Sequence, residues 1–308
     1  MNRLPLLVLL LASLVACQTL RPGGSVRAIP SVGSVAGEYD NHEQVWSAHE
    51  AAAAVPPPHV AVTIEATPRE DWSLWHVSLD ATPSIAAHWA MQRVVAGDGS
   101  ALLVPHRAMV ATPAAGSAFD PKQWAPLDAC ALHGADAATG MRLAADPAAC
   151  AVLAPGIGAE AALLPLVIEH AGEWLHLRLY VDQARGADAR EDLRKVQVFE
   201  GWAAINGAGP SAVADANDWH MNRKLRLGSE GGRAALAWRD GKPSGYSLAL
   251  ERLTYREGNV PVLKLSVVED TSGRTLAYAW ANPEATRIGI NLGWVQVGIE
   301  RSGTSPGR

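Results

Sequence analysis

Glu173-Trp174-Leu175-His176-Leu177-Arg178-Leu179-Tyr180-Val181 alternates without interruption. In an extended chain, successive side chains point to opposite faces. Trp174, His176, Arg178 and Tyr180 therefore share one side, and Leu175, Leu177, Leu179 and Val181 the other. The segment reads as a strand with one apolar face. Two interiors accommodate it. In a solid-cored barrel the leucines point inward and the polar face is wet. In a cup-shaped barrel the Trp/His/Arg/Tyr face lines a cavity. Periodicity alone favours the first by a small margin.

The neighbourhood repeats the pattern. Residues 162–171 pair with this segment as a probable hairpin, and residues 194–202 read as a further strand. Upstream, residues 59–65, 71–79, 88–96 and 100–110 read as four strands. Gly97-Asp98-Gly99 is a hairpin signal between the last two. Residues 114–150 read as loop and short helix. Many short strands with few helical patterns predict a mainly β, antiparallel fold, a barrel or a sandwich. Residues 35–203 form this first unit, and residues 204–217, small and weakly patterned, read as a linker. A second block over residues 218–301 has six strand candidates: 224–228, 234–239, 246–255, 260–270, 275–280 and 287–299. The turns Arg239-Asp240-Gly241-Lys242 and Asp270-Thr271-Ser272-Gly273 suit an antiparallel meander. Residues 302–308 read as a frayed tail, and no internal repeat is evident.

The chain begins Met1-Asn2-Arg3, followed by an apolar run from Leu4 to Val15. That run has the layout of a secretory signal rather than a membrane span. Leu14-Val15-Ala16-Cys17 has the form of a bacterial lipobox, which would make Cys17 a lipidated N-terminus, the alternative being an ordinary signal cut near Ala16. The expected location is the periplasmic side of the envelope, anchored in the membrane by lipid. Gln18 fits an outer-membrane address better than inner-membrane retention. Residues 18–34, rich in Gly, Pro and Ser, read as a flexible tether. Cys130 and Cys150 remain; in an oxidising compartment they can pair, the alternative being two buried free thiols. Net charge is −5, and no basic block stands out, so nucleic-acid binding is not expected. The 11 Trp against 2 Phe are compatible with a ligand cavity and equally with packing. His42 and His49 are each followed by Glu, but lack the spacing of a metallopeptidase site, so no metal is expected. There is no Gly-x-Ser-x-Gly nucleophile elbow.

Val35-Ala36-Gly37-Glu38-Tyr39-Asp40-Asn41-His42-Glu43-Gln44-Val45-Trp46 opens the first unit. Read physically, it is a helix or a helix–strand corner that presents amides. If helical, Ala36, Tyr39 and Glu43 share one face and Asp40, Gln44 and Ser47 another. Its pattern Gly-x-Tyr-x-Asn-x-x-Gln resembles the opening signature of the CpcT/CpeT phycobiliprotein (bilin) chromophore lyases. Other segments resemble that family in the same order. These are Leu74-Trp75, His88-Trp89-Ala90-Met91-Gln92-Arg93-Val94, the pair Cys130 and Cys150, and Tyr180-Val181-Asp182-Gln183-Ala184-Arg185-Gly186 followed by Val198-Phe199. Where the family carries Glu-Gln after the aromatic strand start, this chain has Val77-Ser78.

The resemblance implies a ten-stranded, lipocalin-like (calycin-type) barrel with an N-terminal helix. It also implies binding of an open-chain tetrapyrrole or similar amphipathic ligand and its attachment to a cysteine of an unknown acceptor protein. No further cofactor is required. Arg93 would pair with a propionate, and Gln92 and Arg178 are counted among the ligand-binding residues without a separate role. Trp75, Trp89 and Tyr180 would stack on rings, and Tyr39 is counted among the ligand-binding residues. Asn41 and Gln44 would bond ring carbonyls, and Asp182 would orient a pyrrole. Each has a plain structural alternative: core packing for the aromatic rings, turn or corner bonding for Asn41, Gln44 and Asp182, and a rim salt bridge for Arg93. A non-catalytic lipocalin-like carrier or envelope-maintenance lipoprotein is the rival function, and a structural scaffold whose barrel is filled with its own side chains is the third.

Overall fold

The computed structural model describes residues 35–95, 101–109, 119–135, 141–213, 217–255 and 258–303. The signal, Cys17, the tether and the Gly97-Asp98-Gly99 turn lie outside these residues.

Ten antiparallel strands close into a barrel. They are β1 Gly37–Asp40, β2 His59–Ala66, β3 Trp72–Asp80, β4 Ile85–Val95, β5 Ala101–Ala108, β7 Leu132–Ala135, β8 Met141–Ala144, β9 Pro165–Ala171, β10 Trp174–Leu179 and β11 Glu191–Lys195. Their order is β4-β3-β2-β1-β11-β10-β9-β8-β7-β5, and β4 pairs with β5 to complete the ring. A short strand, β6 Trp124–Pro126, adds to β5 from outside the ring. The barrel interior is solid. Leu175, Leu177 and Leu179 point inward together with Val60, Val62, Val77, Leu143, Ile168 and Leu193. Each such side chain contributes about 1.5–3 kcal/mol on leaving water. Trp75 and Trp89 also lie inside, at 3% and 0% exposure, wedged among these aliphatic groups.

The opening stretch is the helix–strand corner. Gly37 to Asp40 is strand, and helix α1 begins at His42 and ends at Glu50. Tyr39 and Asp40 are thus strand residues, so the helical faces drawn through them do not form. The region read as loop and short helix contains β6, β7 and β8 besides the short helix α2, Pro147–Ala151. These strands are only three or four residues long, too short for alternation to register. Cys130 and Cys150, both fully buried, lie at disulfide distance with Cα atoms 4.7 Å apart.

Two boundaries move. The single strand expected over residues 194–202 is two: β11 ends at Lys195 and β12 runs Val198–Asn206. Between them the chain crosses from the barrel into the second unit, so residues 198–203 belong there and residues 204–206 are strand rather than linker. The second unit is two sheets rather than one meander. β13 Trp219–Gly228, β12, β19 Val295–Arg301 and β18 Arg287–Asn291 form one, in the order β13-β12-β19-β18. β14 Glu230–Ala237, β15 Pro243–Leu253, β16 Val262–Glu269 and β17 Thr275–Ala281 form the other, which is a true meander. Their inner faces share one core of Phe199, Ile205, Leu248, Leu250, Leu265, Val297 and Ile299. The stretch 287–299 is broken at residues 292–294, where the chain turns from β18 into β19.

Candidate functional site

Most of the expected ligand residues are occupied with structural work. Asn41 is a hub at the corner. Its side-chain NH2 lies 2.8 Å from the Pro58 carbonyl, 2.8 Å from Glu191 Oε2 and 3.1 Å from Gln44 Oε1, and its oxygen accepts from Val60 N at 2.7 Å. Glu191 shares the inward face of β11 with Leu193 and is fully buried. Arg185 donates to Glu191 Oε1 and, at 3.0 Å, to Asp182 Oδ1. Burial, and next the neighbouring Asp182 carboxylate, push Glu191 up to about 7, while Arg185 and Asn41 act against this. Asp182 also accepts from Leu179 N at 2.7 Å, where the strand gives way to a 3-10 turn over Tyr180–Arg185. Tyr180 is therefore no longer part of the alternating face.

Inside the barrel, Tyr39 donates to the Val35 carbonyl at 2.9 Å, Trp75 Nε1 to Ser73 Oγ at 3.0 Å and Trp89 Nε1 to the Leu163 carbonyl at 3.2 Å. Burial pushes the Tyr39 hydroxyl up. The two arginines do not meet. Arg93 continues the inward face of β4 after Trp89 and Met91, whereas Arg178 lies on the outer face of β10. β4 and β10 are opposite each other in the ring, five steps apart in either direction. Arg178 donates to the Gly186 carbonyl at 3.3 Å, and Gln92 hydrogen-bonds Asp71.

The structure instead builds a cleft on the barrel's outer wall. Residues of α1 (Glu43, Gln44, Ser47) face Trp174 and His176 of β10 and Asp192 of β11 across about 370 Å³. Strand pairing sets Trp174 opposite Arg194 and His176 opposite Asp192, so all four stand on the wall's outer side. The Trp174 and His176 rings are parallel within 2°, with centroids 6.0 Å apart. His176 Nδ1 lies 2.5 Å from Asp192 Oδ1, and Arg190 Nε 2.9 Å from the same oxygen. Gln44 fastens the helix over the wall: its oxygen accepts from Asp192 N at 3.1 Å and its amide donates to the Arg190 carbonyl at 3.0 Å.

Behind the cleft runs a buried ion network that joins the two units. Arg194 lies with its Cζ 5.4 Å from the centre of the Trp174 ring and reaches Glu43 Oε2 at 2.7 Å. Its other side forks onto Glu230 of β14, which Arg252 of β15 also meets at 3.0 Å. Arg252 continues to Glu173 at 3.0 Å. Of the predicted residues only Gln44 reaches the cleft. Trp174 and His176 are legible as one strand face, expected either to be wet or to line a cavity inside the barrel; they line a cleft on its outer side instead. Glu43, Ser47 and Asp192 gave no signal, because their meeting depends on α1 folding back over β10 and β11. Among the described residues no cluster of three or more metal-ligating side chains occurs. No family model, characterised protein or solved structure matches the chain.

Proposed function

We propose that this chain is a non-catalytic ligand-binding protein of the cell envelope, held there by a lipid on Cys17, with its ligand seated in the outer cleft. The observation that carries the reading is the pair of parallel rings, Trp174 and His176, under the polar face of α1. Two flat rings offer stacking area, and the Asp192 carboxylate beside them accepts hydrogen bonds, Glu43 being held by Arg194 and the Thr254 N–H. This favours a small amphipathic ligand with one flat face and N–H or O–H donors along its edge. The lyase alternative asks for a hollow barrel with cations converging on two propionates. The aliphatic packing around Trp75 and Trp89 and the separation of Arg93 from Arg178 weigh against it, leaving the ten-stranded outline as the common ground with bilin lyases. Native mass spectrometry of the protein purified from its own envelope tests the proposal. A co-purifying small molecule that is lost in Trp174→Ala supports it. A molecule retained by that variant, or covalent transfer of a bilin to a cysteine acceptor, sinks it.

A further inference from the structure

The outer face of the β13-β12-β19-β18 sheet carries a second groove, of about 610 Å³, unrelated to the cleft on the barrel. Its centre is Trp202 on β12, an indole left 38% exposed on a strand whose inner residues Phe199, Ala203 and Ile205 are buried. Across the pairing, Trp202 faces Gly298 of β19, which faces Gly289 of β18. A Cβ on Gly298 would come within 3.3 Å of the indole. The ring thus lies across a bare strip of backbone, and the row continues as a trough with no side chain at Gly289. Glycine is a poor strand former, and two adjacent on an outward face weaken the sheet against ordinary strand residues. Glycine within a strand marks a bulge or a place where a ligand or another backbone comes close.

The next row along the groove is charged. Glu200 pairs in register with Glu300, and Glu300 with Arg287, whose Nε lies 3.2 Å from Glu300 Oε1. Like charges directly opposite on a sheet face are unfavourable. Arg226, the register partner of Glu200 on its other side, turns to Glu38 of the barrel at 2.6 Å. Glu200 has no ion pair among the described residues, so its carboxylate faces open space beside the indole, next to the Glu300 carboxylate that Arg287 holds. The row on the far side of Trp202 carries Gln296 and Asn291, paired in register and both neutral amides.

We propose that this groove is a saccharide subsite: one sugar ring lies with its C–H face on Trp202 above the glycine trough, and its hydroxyls donate to Glu200 and Glu300. A wholly apolar ligand would leave Glu200 unpaired, and an anionic one would be repelled by it and by Glu300 beside it. A polyol ring matches an aromatic platform edged by acceptors, with Arg287 answering its oxygens.

The test titrates the intact chain with maltotriose, cellotriose and triacetylchitotriose while following the Trp202 indole N–H cross-peak, identified by its absence from a Trp202→Phe spectrum. The expected result is a saturable shift with at least one of the three. Trp202→Ala abolishes binding of that sugar, Glu200→Gln weakens it about tenfold by loss of a charge-assisted hydrogen bond, and Trp174→Ala leaves it unchanged. That last variant separates this groove from the proposed barrel cleft. No shift with any of the three sugars overturns the proposal. So does binding that survives Trp202→Ala, or a response to tetramethylammonium alone, which would mark a cation site instead.

Discussion

Arg194 and Glu230 are held together by two hydrogen bonds, Nε to Oε1 at 3.1 Å and Nη2 to Oε2 at 2.8 Å, across the junction of the barrel and the second unit. Arg194 is 2% exposed and Glu230 5%, and Glu230 also receives Arg252 and the Ser229 hydroxyl. Removing one partner of such a pair leaves a charge buried without compensation. Glu230→Ala is expected to destabilise the protein by about 3–5 kcal/mol. The Arg194→Met/Glu230→Met double variant should lose less than the sum of the two single changes. Urea unfolding of all four proteins gives the coupling. Strictly additive losses would mean that the pair does not join the units.

Asn41 ties β1 to β2 and to the buried Glu191 at once. Asn41→Ala orphans the Val60 N–H and removes the donor to Glu191 Oε2, and should cost about 2–3 kcal/mol. A thermal melt reads this directly; a loss below half a kilocalorie would remove the corner from the account of stability.

His59 lies between two carboxylates, Nε2 to Asp40 Oδ1 and Nδ1 to Asp80 Oδ2, both at 2.8 Å. The hydrogen bond to Asp40 is the main reason that its pKa rises from 6.5 to about 9, burial acting in the opposite sense. A folded pKa above the unfolded one means that the native state holds the proton more tightly. The resulting stability is complete below pH 6.5 and fades as pH rises through about 9. Melting temperature should therefore decline over that window, and His59→Gln should flatten the decline. An equal decline in the variant would assign it to other groups.

The Cys130–Cys150 pair closes a loop with a sequence separation of 20. In the chain-entropy view a loop of that size contributes roughly 3 kcal/mol. Cys150→Ser should lower stability by about that amount at neutral pH. An unchanged denaturant midpoint after full reduction would leave the bridge without a role.

Trp174 lines the cleft and is partly exposed. Trp174→Ala should cost less stability than truncating a fully buried Trp89, which lies wholly within the core. Trp89→Ala falls in the range of about 3–5 kcal/mol. Comparable losses in the two variants would show that Trp174 packs the fold rather than lining an open cleft.

Much of the barrel wall was readable before any coordinates. The leucines of residues 173–181 do point inward, and the strands at 59–65 and 71–79 fall within a residue or two of those observed. Each of these was carried by a run long enough to alternate several times. β7 and β8 were missed because four residues hold too few alternations. β11 and β12 were fused because both are β-rich and only two residues separate them, with no glycine or proline to mark the crossing. Trp75 and Trp89 were placed inside correctly as residues, but nothing local tells an indole that walls a cavity from one that fills it.

The sequence by itself determined the longer strands and which side chains of each share a face, because side chains of an extended chain alternate. The tertiary structure alone decided ring closure, the crossing after Lys195, and the meeting of Glu43 with Arg194 or of Trp174 with α1. Those depend on registers and ion pairs between residues far apart in the chain. Their free energy exists only once the chain has folded back on itself, so no short stretch carries a trace of it.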